Sequence, residues 1–221
     1  MPNYLGFDGY RFGWVAAWID DRGDHGFDYS PGLTRLLEMP HARAMIDMPI
    51  GLKPSGYRCC DKEARKLIGP AVFLGARRDL WKFSDMGAAN RHYWEHEGRG
   101  MGVSAQLWNI RDKIRDVDAI MTPARQAIVG EAHPELVFWN LAGQIRLALK
   151  TSSHGREQRI ALLEQRGFTC VRKWLTQRHG TGIGPDDLID ACACAVAARD
   201  STQRVGGEEI DPRGLRMEIN Y

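Results

Sequence analysis

Apolar residues come in short runs before they come in helical stripes. Tyr4-Leu5-Gly6-Phe7 is followed by Asp8-Gly9, and a second run, Trp14-Val15-Ala16-Ala17-Trp18-Ile19, begins almost at once. Two bounded runs across a Gly-containing break predict a β-hairpin. His25 to Tyr29 predicts a weaker third strand, and Ser30-Pro31 then opens a helix through Leu33, Leu36 and Leu37, since Ser caps well and Pro suits a first turn. Ala42 to Asp47 returns to strand and ends at Met48-Pro49-Ile50-Gly51-Leu52. Strand, hairpin, strand, helix, strand is the beginning of an α/β protein.

Residues 53 to 125 change character: Gly, Arg and aromatics dominate, with Tyr57, Trp81 and Trp94 among Arg58, Arg65, Arg77 and Arg78. Asp61 to Leu67 is helix-like, and Trp108, Ile110, Ile114, Val117 and Ile120 share one apolar helical face. No flexible linker bounds this stretch, so it is expected to be an insertion or elaborated crossover within one domain spanning 1 to 221. Beyond it, Ile128 to Glu135 predicts a strand-to-turn with an acid near its end, Glu135 to Leu141 a helix, and Arg156 to Gln165 an amphipathic helix stopped by Gly167. Phe168 to Trp174 is expected as a short strand, Gly180 to Pro185 as a mobile connection, and Pro185 to Ala198 as a strong helix with acids in its first turns, where the helix dipole favours them. The tail from Glu208 to Tyr221 is expected to close the fold as a strand or clasp.

Composition narrows the class without deciding it. The 221 residues are 43% hydrophobic and 26% charged, with a net charge of +2, the profile of an ordinary globular protein and too mild for a basic nucleic-acid coat. A basic groove balanced by an acidic centre remains compatible. From Met1-Pro2 the chain passes straight into strand with no leader pattern, and no run is long enough for a membrane span, so a cytoplasmic location without membrane partners is expected. Cys59 and Cys60 are adjacent, Cys170 stands alone, and Cys192 and Cys194 lie within an apolar helix. That spacing makes neither a disulfide framework nor a paired structural zinc site.

Chemistry enters through acids at the ends of elements. Asp8, Asp47 and Glu131 end apolar strands, and Asp187 and Asp190 are three apart on one helix face. An acid at the end of a buried strand costs desolvation unless a cation or donors meet it; the competing reading of Asp8 is a turn former. Carboxylates brought together raise one another's pKa, so a cluster persists most readily around a divalent ion. Oxygen-only ligands favour Mg2+ or Mn2+ over zinc.

Several segments resemble one family in order. They are G-F-D-G-Y-R-F-G-W-V at 6 to 15, I-D-M-P-I-G-L at 46 to 52, R-C-C-D-K-E-A-R at 58 to 65 and G-V-S-A-Q-L-W at 102 to 108. K-I-R-D-V-D at 113 to 118, E-A-H-P-E at 131 to 135, K-T at 150 and 151 and D-D-L-I-D-A at 186 to 191 continue the series. Together they resemble domain of unknown function family 429, described as predicted nucleases with a ribonuclease H-like fold. The resemblance implies a mixed sheet with its first three strands antiparallel and helices on both faces. It further implies metal-binding acids from the first strand, the fourth strand and the last helix, matching Asp8, Asp47 and Asp187 or Asp190. Glu131 has no firm counterpart in that pattern.

The expected activity is divalent-metal-dependent phosphodiester hydrolysis on nucleic acid, with Glu131 or His133 orienting water and a homodimer as one possible assembly. His133, standing before Pro134, can equally be structural. Lys150 is a candidate phosphate contact, against the plainer reading of a solvated loop lysine. Arg58, Arg65, Arg77 and Arg78, interleaved with aromatics, form either a stacking groove for nucleic acid or a small aromatic core under a charged surface. His92 and His96, one helical turn apart, lack a third ligand nearby. Two other functions stay open: an ATP- or phosphate-binding module, since sugar kinases and actin-like ATPases share the fold, and a non-catalytic assembly module.

Overall fold

A computed structural model describes residues 3–178 and 180–221. Met1 and Pro2, where the chain was expected to enter its first strand without a leader, lie outside the described residues. In chain order the elements begin with β1 (Asn3–Tyr10), β2 (Gly13–Asp20), β3 (His25–Ser30), α1 (Leu33–Leu37) and β4 (Arg43–Ile46). They continue with α2 (Cys59–Ile68), α3 (Met86–Glu97), α4 (Ala105–Asn109), α5 (Arg111–Ile120), β5 (Val129–Glu131) and α6 (Pro134–Leu141). The chain ends with α7 (Ser153–Gln165), α8 (Val171–Gln177), α9 (Pro185–Asp200), β6 (Arg204–Ile210) and β7 (Arg216–Asn220).

The chain divides into two compact units. The first takes Met1–Asp47, Ile128–Gln203 and Asn220–Tyr221; the second takes Met48–Ala127 and Arg204–Ile219. The Arg- and aromatic-rich stretch therefore belongs to a unit that begins five residues earlier than its expected edge and also recruits the tail, where β6 and β7 form a two-stranded sheet. Within it, α2 packs against β6. The expected helix through Trp108 to Ile120 is two helices, α4 and α5, meeting at Ile110.

The first unit is built on a mixed five-stranded sheet in the order β3-β2-β1-β4-β5. β1, β2 and β3 are antiparallel neighbours, whereas β4 and β5 run parallel to β1. Phe168 to Trp174, expected as a strand, instead leads into α8: its buried apolar positions, Phe168, Val171 and Trp174, recur every third residue, a helical spacing and not the alternation of a strand. Ser30 does not cap α1. Gly32 occupies the cap position, and the Ser30 hydroxyl accepts the Gly32 N–H at 3.3 Å.

One helix organises the first unit. α9 runs across β1, β2 and β4 and is buried from Leu188 to Ala198, because Ala and Cys at nearly every turn let its backbone approach the sheet. The closest approach is at Gly6 in β1, where an added Cβ would lie 2.0 Å from Ala195 N and 2.1 Å from Ala191 O. The helices α6, α7 and α8 pack around α9, and Val15, Ala17, Ile19, Val137, Phe138 and Leu163 join it in the main core of the unit.

Candidate metal centre

Register decides which acids meet. Phe7 pairs with Ile46 and Ile46 with Glu131, so the next rank holds Asp8, Asp47 and Ala132, tied by Asp47 N to Phe7 O at 2.9 Å and Ala132 N to Ile46 O at 3.1 Å. Side chains alternate along a strand. Asp8 therefore shares a face with Gly6, the face that α9 covers. From α9, Asp190 points back to the same place. Ligand oxygens of Asp8, Asp47 and Asp190 all lie within 4.8 Å of one another, the one such trio of His, Cys, Asp or Glu side chains among the described residues.

Glu131 does not join them. It stands in the rank of Phe7 and Ile46, one residue before the acid rank, so strand alternation turns its side chain toward the opposite face. Its carbonyl accepts Asn220 Nδ2 at 3.0 Å. Asp187 lies one turn before Asp190 and its charge adds to the potential at Asp8, yet it stands outside the trio. Its Oδ2 accepts the Gly184 N–H at 2.6 Å and so caps α9. His133 takes the cap position of α6, and its carbonyl accepts from Leu136 and Val137.

The three converging acids are costly without a cation. Burial raises the Asp8 carboxyl well above its usual range, and the charges of Asp47, Asp190 and Asp187 raise it further, against a smaller opposing effect of Lys150. Burial also pushes Asp47 and Asp190 up to about 7, with Lys150 lowering both and Glu135 adding to the rise. One oxygen of the site is orphaned: Asp190 is 4% exposed, and its Oδ1 is buried without a hydrogen-bond partner. A buried carboxylate oxygen left unpaired is expensive. Oxygen ligands from three elements and an unused buried lone pair fit a hard divalent cation such as Mg2+ or Mn2+.

Lys150 meets the site from the loop between α6 and α7. Its ammonium donates to Asp190 Oδ2 at 2.9 Å. Burial alone would lower its pKa, but the charge of Asp190 and this hydrogen bond, followed by Asp47 and Asp8, outweigh burial and raise it. The lysine expected on a phosphate thus rests on a carboxylate of the cluster.

The proposed arginine groove is not formed by its most prominent members. Arg58 is 1% exposed, donates to Asp61 through Nε and Nη2 and to the Ile50 carbonyl through Nη1. Arg77 is fully buried, donates to Glu97 and to the Gly75 and Met101 carbonyls, and lies 4.1 Å from the Tyr93 ring centroid. Arg78 bonds Asp118 and Asp211, and Arg65, though exposed, bonds the Val72 carbonyl at 3.1 Å. Arg58 and Arg77 serve the interior of the second unit, the small-core alternative. Acids and carbonyls already use the donors that a phosphate would need.

Sequence reasoning missed Glu135 and its partner Arg159. Glu135 is the second residue of α6, which starts two residues after the acid rank. It is joined by Arg159 from α7.

With that geometry in hand, comparison with known proteins gives a class. Residues 6–209 match the family described as protein of unknown function (DUF429), and the chain belongs to that family. No curated protein and no solved structure matches it significantly. Among the described residues no helix is long and apolar enough to cross a membrane.

Proposed function

We propose that this protein is a divalent-metal-dependent nuclease on a ribonuclease H-like fold, hydrolysing phosphodiester bonds in nucleic acid with Mg2+ or Mn2+. The observation that carries the reading is the convergence of Asp8, Asp47 and Asp190 around an orphaned buried oxygen. The three come from the first strand, the fourth strand and the last helix, the origins that the ribonuclease H-like pattern requires. The antiparallel β1-β2-β3 start of the sheet supports the same fold.

In this reading Asp8, Asp47 and Asp190 hold the cation, and Asp187 supports the site from the first turn of α9. A bound divalent ion supplies activation of water and neutralisation of charge developing on the phosphodiester oxygens. Lys150 has two tasks. It offsets part of the cluster's charge in the metal-free protein, and its half-exposed side chain can then turn to a substrate phosphate as a point charge.

The test is a titration of this 221-residue protein with Mn2+ and Mg2+, read by melting temperature, alongside single-stranded, duplex and branched DNA and RNA substrates. A divalent-dependent rise in melting temperature and divalent-dependent cleavage are expected. Tight ATP binding without cleavage would replace this reading with a nucleotide-binding module. No response to either ion would leave a non-catalytic module.

Lys150→Met separates the two tasks of the lysine. Removing a cation beside the ligands should tighten Mn2+ binding by about three- to tenfold while cleavage falls. Weaker Mn2+ binding in this variant would show that the lysine supports the site by some means other than charge.

A further inference from the structure

Arg159 is a buried arginine, 2% exposed, that ties the start of α6 and the loop before α7 to one guanidinium. Its Nε and Nη2 donate to the two oxygens of Glu135 at 2.9 and 2.6 Å. Its Nη1 donates to the Ala148 and Gly155 carbonyls at 2.9 and 2.7 Å. The bonds to Glu135 and Ala148 lead back to the site, and the bond to Gly155 ties the fork to its own helix. Glu135 sits at the start of α6, three residues past Ala132, which shares the rank of Asp8 and Asp47. Ala148 lies two residues before Lys150, and its N–H is fixed by Gln158 Oε1 at 2.9 Å. The loop lies hard against α7 at Gly155, where an added Cβ would lie 2.2 Å from Leu149 O.

A buried ion pair is a poor way to gain stability, because well-packed apolar residues of similar volume commonly serve as well or better. What the guanidinium adds is a planar fork that fixes several acceptors at once. Here the fork orders an anion and the loop of a cation around one centre. We propose that Arg159 is a positioning residue for the metal centre, acting through two groups. It fixes the Glu135 carboxylate at the start of α6, just past the rank of Asp8 and Asp47, where a negative charge favours a divalent ion, and it holds the loop that delivers Lys150 to Asp190. The proposal rests on the metal-dependent reading above and names how that site is tuned.

The test uses Mn2+ alone as the probe, with its dissociation constant measured in this 221-residue protein beside metal-free melting curves. Glu135→Gln keeps an acceptor for Arg159 but removes the charge, and Mn2+ binding should weaken by about tenfold, as when an outer partner of a metal site is lost. In an Arg159→Met background, the tightening expected from Lys150→Met should disappear, because the lysine is no longer held on Asp190. Should Arg159→Met fail to fold, Gln158→Ala loosens the same loop through its other anchor and should diminish the Lys150→Met effect. Wild-type protein that binds Mn2+, with variants that melt lower but keep its affinity and the full Lys150→Met effect, would reduce Arg159 to a structural ion pair. Wild-type protein that binds no Mn2+ would overturn both the metal-dependent reading and this one.

Discussion

Asp47→Asn protein is expected to melt higher than wild type in metal-free buffer at pH 8, and to lose both manganese stabilisation and cleavage. The two halves share one cause. In the folded metal-free protein Asp47 holds its proton up to about 7, against an ordinary 3.8. The folded state therefore binds more protons than the unfolded state between those values, and stability falls as pH rises through that window. Three pKa units at about 1.4 kcal/mol each would be about 4 kcal/mol. Asp47 is only half-buried and interacts with its neighbours, so solvent screening reduces the figure to about 2 kcal/mol. Asparagine removes that penalty, and about 5 °C of added melting temperature is the corresponding gain. It also removes a charged ligand, so cleavage should fall by at least about a hundredfold.

The pH dependence supplies the control. Metal-free wild type should lose melting temperature between pH 5 and 8, Mn2+ should restore it most at the alkaline end, and the Asn variant should lessen both trends, with Asp8 and Asp190 still titrating. Asp8→Asn should behave alike, since burial and the charges of Asp47, Asp190 and Asp187 raise Asp8 well above its usual range. An Asp47→Asn protein that melts lower at pH 8, with the pH slope of wild type, would mean that burial does not raise the Asp47 carboxyl in the folded protein.

Asp8 and Asp47 were legible because an apolar run ending in an acid is a local pattern, and a strand end fixes where that acid can go. Asp190 was legible only as one of a pair with Asp187. The choice between them follows from capping: Asp187 is the third residue of α9, where its carboxylate turns back to the Gly184 N–H. That Glu131 falls outside the trio was not legible, because the register of a three-residue strand is set by its neighbours and carries almost no periodicity of its own. A shift of one residue sends a side chain to the other face. Glu135 and Arg159 were invisible for a different reason: they lie 24 residues apart on separate helices, and only packing of α6 against α7 makes them partners. Arg58 and Arg77 show the converse error, since an arginine among aromatics looks the same in sequence whether it faces a phosphate or a buried acid.

Gly6→Ala should separate the two halves of the metal centre. β1 carries Asp8 and α9 carries Asp190, and their spacing is set where the helix backbone meets a strand residue without a side chain. A methyl group at position 6 would lie 2.0 Å from Ala195 N, 2.1 Å from Ala191 O and 2.6 Å from Cys194 C. All three are backbone atoms, so no rotamer change relieves the overlap. The helix must retreat by roughly an ångström, and a core that cannot deform by that amount pays about 3 kcal/mol or more. Ala191 follows Asp190 directly, so the retreat draws that carboxylate away from Asp8 and Asp47. The expected protein is less stable and binds Mn2+ more weakly, with both losses visible in one pair of melting curves, with and without the ion. Gly32→Ala is the matching control, because nothing lies within 4 Å of its added methyl group, and it should cost less than about 1 kcal/mol with Mn2+ binding unchanged. A Gly6→Ala protein as stable as that control, with intact Mn2+ binding, would show that the close approach of α9 to β1 does not set the distance between the acids.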